Sequence, residues 1–476
     1  MANGLLTQLL EPLLTTVEER NLGVDPKFCG SWELSCRLAS ASKQWQAAVR
    51  EYRLQQRAVR LAARNERRAG GRDYTRLDAY ALLVLARDCP NLRHLTIAGR
   101  GGMDGHSRPV NLDEKALADL ARLCGPKLET LRFEAGAKAP AESLLEFARC
   151  CPQLKSFHAT WPMPACVVLT LITGCNAIRS IKIDSSSPGD WLPSHLKLVV
   201  DRLAELPQLE QMYLTGLSPT LLAGTTWPRL SELSLREARP VSSRVFTDFS
   251  CPRVATLDLS GCYAGGQLRD LASCFPTLES VVMRRFPLCD SYLDGLAHPT
   301  IRRLDLGDNG TPGADLFTGR CLTAQALPSL RELVLNHSVA VDEALELDLP
   351  QLRSLDLFAT EIDDGTVARL VRSCPTLESL CIGCNDNITD ESAPLLASLA
   401  SLTNLNLCSC AISDTAVPHL AALPRLAVLD LDGCGTLTDD GLLQLVQTCT
   451  AHVALGSRPL RSDRGPTFFG FSDGTD

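Results

Sequence analysis

An α/β solenoid, a stack of short strands each followed by its own return, is the fold class that three observations on the 476-residue sequence predict. First, a Pro, an aliphatic two residues on and an L-x-L-like pair recur as Pro90-Asn-Leu92-Arg-His-Leu95-Thr-Ile97, Pro228-Arg-Leu230-Ser-Glu-Leu233-Ser-Leu235, Pro350-Gln-Leu352-Arg-Ser-Leu355-Asp-Leu357 and Pro424-Arg-Leu426-Ala-Val-Leu429-Asp-Leu431. The first aliphatic falls at Leu92, Leu128, Leu154, Ile178, Leu209, Leu230, Val254, Leu278, Ile301, Leu330, Leu352, Leu377, Leu402 and Leu426, which makes fourteen copies. Second, ten of the thirteen intervals are 21 to 26 residues, room for one short strand and one short return. Third, cysteines keep the same beat: Cys89, Cys151, Cys251 and Cys374 each precede a proline, and Cys262, Cys410 and Cys434 each follow a leucine by three residues. One such unit cannot bury its apolar face alone, so the copies must stack.

The repeat resembles the leucine-rich repeat, L-x-x-L-x-L-x-x-N/C-x-L, over residues 77–455. Within that family it is most similar to the cysteine-containing, ribonuclease-inhibitor-like subclass. The resemblance implies a horseshoe with a parallel concave sheet and convex helices. In the later copies the strand is followed by Ile388-Thr-Asp390, Ile412-Ser-Asp414 and Leu437-Thr-Asp439. Thr389, Ser413 and Thr438 are expected to be helix N-caps, with the next Asp favourably placed at a helix start.

Strand alternation turns the aliphatics of each L-x-L inward and the residue between them outward. The outward set runs Thr96, Arg132, His158, Lys182, Tyr213, Ser234, Asp258, Val282, Asp305, Val334, Asp356, Cys381, Asn406 and Asp430. On that face and its neighbours, Tyr213, Arg236, Arg284, Arg303, Asp356, Phe358 and Asp430 are the candidate contacts for a protein substrate, because interface anchors are commonly aromatic or Arg. Residues 300–449 hold 21 acidic against 8 basic residues, a net −13. Either this serves solubility, or Asp305, Glu332, Asp356, Asp430 and Asp432 favour a basic partner segment. Longer units carry insertions at 99–109, 184–195 and 307–328, expected as surface loops.

Residues 1–76 lack the repeat. Leu34, Leu38, Ala41, Trp45 and Val49 stand at helical spacing and form one apolar stripe. The stretch Leu38 to Val49 resembles the closing helix of an F-box, and Pro12-Leu13-Leu14-Thr-Thr-Val17 resembles its opening. That resemblance assigns residues 1–50 to an F-box-like helical region in which Leu10, Leu13, Leu14, Val17, Leu34, Leu38 and Trp45 meet a Skp-type adaptor. Arg50, Arg53, Arg57, Arg60, Arg64 and Arg67 recur every three or four residues, which predicts an Arg-rich helical linker over 51–76. Residues 456–476 are expected to form a disordered tail.

Composition narrows the function. Hydrophobic residues at 45% and charged residues at 21% are ordinary globular values. No apolar run approaches the ~20 residues of a membrane span. The stretch Met1 to Arg20 lacks the basic start of a secretory leader, so a cytoplasmic or nuclear location is expected, with no membrane partner. The 20 cysteines are then expected to be free and mostly buried. A net charge of −8 disfavours nucleic acid. Neither a Gly-rich phosphate loop, an HExxH pair nor a G-x-S-x-G elbow occurs, so the chain is read as no enzyme. Cys381-Ile-Gly-Cys384 and Cys408-Ser-Cys410 lie on a repeat strand and its exit, where small buried Cys is a filler, and no metal or cofactor is expected. The F-box resemblance implies a substrate-recognition subunit of a Skp-cullin-F-box ubiquitin ligase, leading to ubiquitin-dependent degradation. The alternative is a non-enzymatic interaction scaffold, cytoskeletal or signalling, with a degenerate F-box.

Overall fold

In the computed structural model, residues 57–454 are described, apart from 63, 68–72, 77–78, 99–109, 135–136, 185–192, 239–245, 247, 263–267, 269–270, 287–288, 310–316 and 449–451. The chain divides into two compact units, Met1–Gly216 and Leu217–Asp476. Each is an α/β stack of parallel strands, as the repeat predicts.

In the first unit the strands β1 (Ala58–Ala62), β2 (His94–Ala98), β3 (Thr130–Glu134), β4 (Ser156–Pro162), β5 (Ser180–Asp184) and β6 (Gln211–Thr215) pair in chain order. All of these pairs are parallel. The returns are the helices Ala79–Asp88, Glu114–Cys124, Ala141–Cys150, Ala165–Gly174 and Pro193–Ala204. Asp113 caps the second of these, accepting from the Ala116 N–H at 2.8 Å. Leu95, Leu131, Phe157 and Ile181 are fully buried between sheet and helices. Phe133 packs edge-on against Phe157 and against Trp161.

The Arg-rich segment departs from expectation. Over its described part it is no helix: Ala58–Ala62 is the first strand of the sheet, and Arg64–Arg67 pairs antiparallel with Asp73–Arg76. The arginines recur at helical spacing, but exposed residues carry no burial signal. Burial instead picks out Leu61, while Arg60 next to it stays exposed, and that is strand alternation. Among the described residues the sheet therefore starts at 58 and not at 77.

The second unit stacks β7 (Glu232–Ser234), β8 (Thr256–Asp258), β9 (Ser280–Val282), β10 (Arg303–Asp305), β11 (Glu332–Val334), β12 (Ser354–Asp356), β13 (Ser379–Cys381), β14 (Asn404–Asn406), β15 (Val428–Asp430) and β16 (His452–Ala454), again in chain order. Helical returns dominate only its later part, with Asp364–Ser373, Ser392–Leu396, Val417–Ala421 and Asp439–Thr448. Between Glu332 and Asp356 the return is made of turns and isolated bridges and not of a helix, although the resemblance implies convex helices. Leu345, Leu347 and Leu349 are all buried with period two, and Asp342 bridges to Glu361. A period of two cannot be served by a helix face.

Two backbone ladders tie each repeat to the next. At the strand entrance one carbonyl takes two N–H groups from the following repeat: Ser231 from Ala255 and Thr256, Ala255 from Glu279 and Ser280, and Arg353 from Glu378 and Ser379. At the strand exit of the second unit a residue with positive φ recurs as Glu237, Gly261, Arg285, Asp308, His337, Ala359, Cys384, Ser409 and Gly433. Its N–H reaches the next repeat, as in Glu237 to Ser260 O at 2.8 Å and Cys384 to Cys408 O at 2.7 Å. Left-handed backbone costs a non-glycine residue roughly 1–2 kcal/mol. Here the ladder bond that it aims offsets the strain.

The Thr/Ser-Asp motifs act in two directions. Thr438 accepts from the Gly441 N–H at 3.2 Å, and Ser413 from the Thr415 N–H at 3.3 Å, as helix-start caps. The following Asp reaches forward instead. Asp364 accepts from the Thr389 N–H and hydroxyl at 3.0 and 2.7 Å, Asp390 from the Ser413 N–H at 2.7 Å, and Asp414 from the Thr438 N–H at 2.8 Å. Each acid therefore joins its repeat to the next.

Candidate functional site

In β12 to β15 the residues between the paired aliphatics are half-buried while the aliphatics are fully buried, so one face of the strands stays open to a partner. Earlier in the same unit the face is tighter: Ser234, Asp305 and Val334 are buried although the alternation places them outward.

The acidic residues of that face make the strand exits before they do anything else. Asp258 accepts from the Ser260 N–H at 2.9 Å, Asp356 from the Phe358 N–H at 3.0 Å, and Asp430 from the Asp432 N–H at 3.0 Å. Asn406 does the same for Cys408 at 2.9 Å. This is an Asx-turn, a side chain closing its own backbone two residues on. The D-L-x spacing was legible in the sequence, and its turn chemistry is what a reading for contacts passes over.

Three of the arginines picked out as contacts are held by neighbouring acids. Arg236 lies 3.8 Å from Asp258. Arg284 meets the buried Asp305 at 3.0 Å and Asp308 at 3.1 Å, and Arg303 meets Asp305 at 3.3 Å and also Glu332. Burial disfavours the Arg284 charge, but the two carboxylates outweigh it and hold its pKa above the ordinary value. The structure thus brings Arg284 and Arg303 together around Asp305, as a neutralised cluster.

From β12 onward the face changes character. Phe358 sits edge-on to His337 with ring centroids 5.2 Å apart, beside Asp356, which also accepts from Asn336 at 2.9 Å. Next along the strands come Cys381, Gly383, Asn406 and Cys408, then Asp430, which accepts from Asn406 at 3.2 Å, and exposed Asp432. Burial raises the Asp430 pKa, the hydrogen bond from the Asp432 N–H lowers it in part, and the Asp432 charge raises it again. Three carboxylates and an aromatic pair, with no cation among these positions, make an acidic strip around Phe358. Tyr213 lies in the first unit, with the Lys182 Nζ 6.0 Å from its ring centroid. The adaptor candidates Leu10, Leu13, Leu14, Val17, Leu34, Leu38 and Trp45 lie outside the described residues, as does the tail 456–476.

The cysteines serve the stack. All described ones are free. Cys262, Cys410 and Cys434 donate to the preceding repeat's Leu235, Ile382 and Leu407 carbonyls at 3.0, 3.3 and 3.2 Å. Burial pushes the thiols of Cys175, Cys251 and Cys262 up to about 12. A raised pKa starves these groups of thiolate at neutral pH. Native alkylation followed by mass analysis should therefore label exposed Cys166 at least ~tenfold faster than those three. Rapid labelling of Cys251, or its protection by a disulfide, would contradict this role.

Among the described residues no helix is long and apolar enough to cross a membrane. Residues 289–391 match the family model described as FBD-associated F-box protein At5g56370, LRR repeats. No curated protein sequence matches the chain. Among solved structures, the crystal structure of a TLR13-ssRNA13 complex is similar at 16% identity and a TM-score of 0.45, over 77% of this chain and 50% of that one. An internalin from Listeria monocytogenes is similar at 14% identity and a TM-score of 0.40, over 84% of this chain and 93% of that one. The yeast Rad7 and Elc1 complex is similar at 14% identity and a TM-score of 0.33, over 92% and 90%. On its repeats the chain has the leucine-rich-repeat fold, and residues 289–391 are similar to the repeats of an F-box-associated family.

Proposed function

We propose that this protein is the substrate-recognition subunit of a Skp-cullin-F-box ubiquitin ligase. The N-terminal region docks a Skp-type adaptor, and the open face of the repeats holds a protein substrate for ubiquitin-dependent degradation. The observation that carries the reading is the F-box-associated match of residues 289–391, set behind an F-box-like segment in the order that family uses. In this reading the chain itself does no bond chemistry. It raises the local concentration of a substrate lysine near an enzyme that is a separate polypeptide. Affinity capture and proximity labelling of the intact chain should both recover adaptor and cullin. Recovery of neither leaves an interaction scaffold.

The substrate surface in this proposal is the acidic strip around Asp356, Phe358 and Asp430, which fits a basic segment with an apolar residue. Because Asp356 and Asp430 also close their turns, Asp→Asn is the informative change: it removes the charge and keeps the acceptor. The pair D356N and D430N should weaken substrate capture by roughly tenfold, about 1.4 kcal/mol. Arg372→Gln, at an exposed position of the helix Asp364–Ser373, should leave capture unchanged. An equal effect of the two would move the binding surface off this face.

A further inference from the structure

We propose that the sheet of the first unit carries a second docking surface, for an acidic, extended segment of a protein partner, centred on Arg132 and Lys182. The strand registers align one outward row across six strands: Arg60, Thr96, Arg132, His158, Lys182 and Tyr213. Three of the six are formal cations and none is an acid.

Several cations elsewhere in this unit are paired with acids. In the neighbouring entrance column Arg93 and Lys155 both hold Glu129, at 2.9 and 2.6 Å, and Arg179 holds Glu210 at 3.1 Å. In the row itself Arg60 holds Glu134 at 3.2 Å. Arg132 and Lys182 are exposed, and among the described residues neither makes an ion pair. The Asp184 position, at the end of β5, pairs in register with Pro162. Between the two cations His158 bonds to the Ser180 hydroxyl through Nε2 at 3.2 Å. Burial, then Arg132 and Lys182, pushes its pKa down to about 4, so the imidazole is neutral at physiological pH. The row is a positive field with a neutral hydrogen-bonding group at its centre, and Lys182 lies over the Tyr213 ring.

Geometry selects the occupant. Arg132 and Lys182 stand two strands apart, roughly 10 Å at ordinary strand spacing. A polyproline-II-like extended chain rises about 3.1 Å per residue with three residues per turn, so carboxylates three residues apart lie on one side and match that separation. Two free cations are too few for a polyphosphate backbone, whose binding rests on neutralising many charges, and the net −8 of the chain opposes it. The surface is independent of whether the protein docks an adaptor.

The test is fluorescence anisotropy of the full chain with a short labelled synthetic peptide that has Glu at every third position of a Ser/Thr background. Comparison probes carry Lys at those positions, the same Glu residues in one block, phosphoserine in place of Glu, or single-stranded oligonucleotide. The spaced Glu peptide should bind best, and Arg132→Glu or Lys182→Glu should each weaken it roughly tenfold or more. Arg132→Gln and Lys182→Gln should give smaller losses, and Arg372→Glu none, with circular dichroism and melting unchanged throughout. Absence of binding by the spaced peptide, indifference to the reversals, or tighter binding of the phosphoserine or oligonucleotide probe would overturn the proposal.

Discussion

Replacing Asn385 with Ala should cost about 2–4 kcal/mol. Asn385 is 1% exposed. Its amide nitrogen donates to the Leu357 and Ile382 carbonyls at 2.9 Å each and to Gly383 at 3.2 Å. Its oxygen accepts from the Thr360 N–H and hydroxyl at 3.1 and 3.0 Å. Alanine leaves the Thr360 N–H buried and unpaired, at about 1–3 kcal/mol, and removes the amide's own bonds, while the Leu357, Ile382 and Gly383 carbonyls keep the Thr360 hydroxyl, the Cys410 thiol and the Ala359 N–H. The position is a column of the stack: Asn309 reaches the Met283 carbonyl at 3.2 Å, Ser338 reaches Leu306 at 3.3 Å, and Cys262, Cys410 and Cys434 make the corresponding bonds. Asn385→Cys should therefore fall between wild type and Ala, because a thiol restores the donor to Leu357 but leaves the Thr360 N–H without its acceptor. Cys410→Ala, which removes one weak donor, should cost only about 1 kcal/mol. Denaturant unfolding of the full chain, with hydrogen exchange at Leu357 to Cys410, measures the order. Equal effects at Asn385 and Cys410 would show that the column is filler and not a set of bonds between repeats.

That column separates what the sequence displays from what it hides. The beat of Leu, Cys and Pro reports burial, and burial is what a stacked repeat must repeat. Strands and core were therefore readable at Leu355, Leu380, Leu405 and Leu429, all buried by at least 98%. Hydrogen-bonding tasks leave a weaker trace, because Asn, Cys and Ser perform the same one at Asn385, Cys410 and Ser338. The Asp residues in L-x-L positions looked like contacts, since alternation says which way a side chain points and not what it bonds. The segment from Ala58 misled for the opposite reason. Six arginines at helical spacing outweighed a single buried Leu61, although charge on a solvent-facing surface is compatible with either period. Of the candidate site, the acidic strip with Phe358 was readable. The neutralisation of Arg284 and Arg303 was not, because Asp305 and Asp308 reach Arg284, and Glu332 reaches Arg303, from other repeats.

Removal of residues 1–56 should abolish co-purification of a Skp-type adaptor and cullin while leaving a folded repeat stack that still captures its substrate. The structure sets the cut. Ala58–Ala62 pairs along its whole length with His94–Ala98, so a deletion into residue 60 would strip the first strand and expose the β2 edge. An exposed edge strand recruits other chains, and aggregation would then mimic a loss of binding. Cutting at 56 keeps the Arg57 carbonyl that receives the Arg93 and His94 N–H groups at 2.7 and 2.9 Å. Stacked repeats derive their stability from nearest neighbours, so the remaining units should hold. In the intact chain Leu14→Ala or Trp45→Ala should weaken adaptor capture about thirtyfold, the effect of truncating a hot-spot residue by roughly 2 kcal/mol. Retention of adaptor by the shortened chain would place docking in the repeats and refute the F-box assignment. Loss of adaptor, cullin and substrate together, from a chain that still melts cooperatively, would show that the N-terminal region holds the substrate as well, and the division of labour proposed for the two regions would fall.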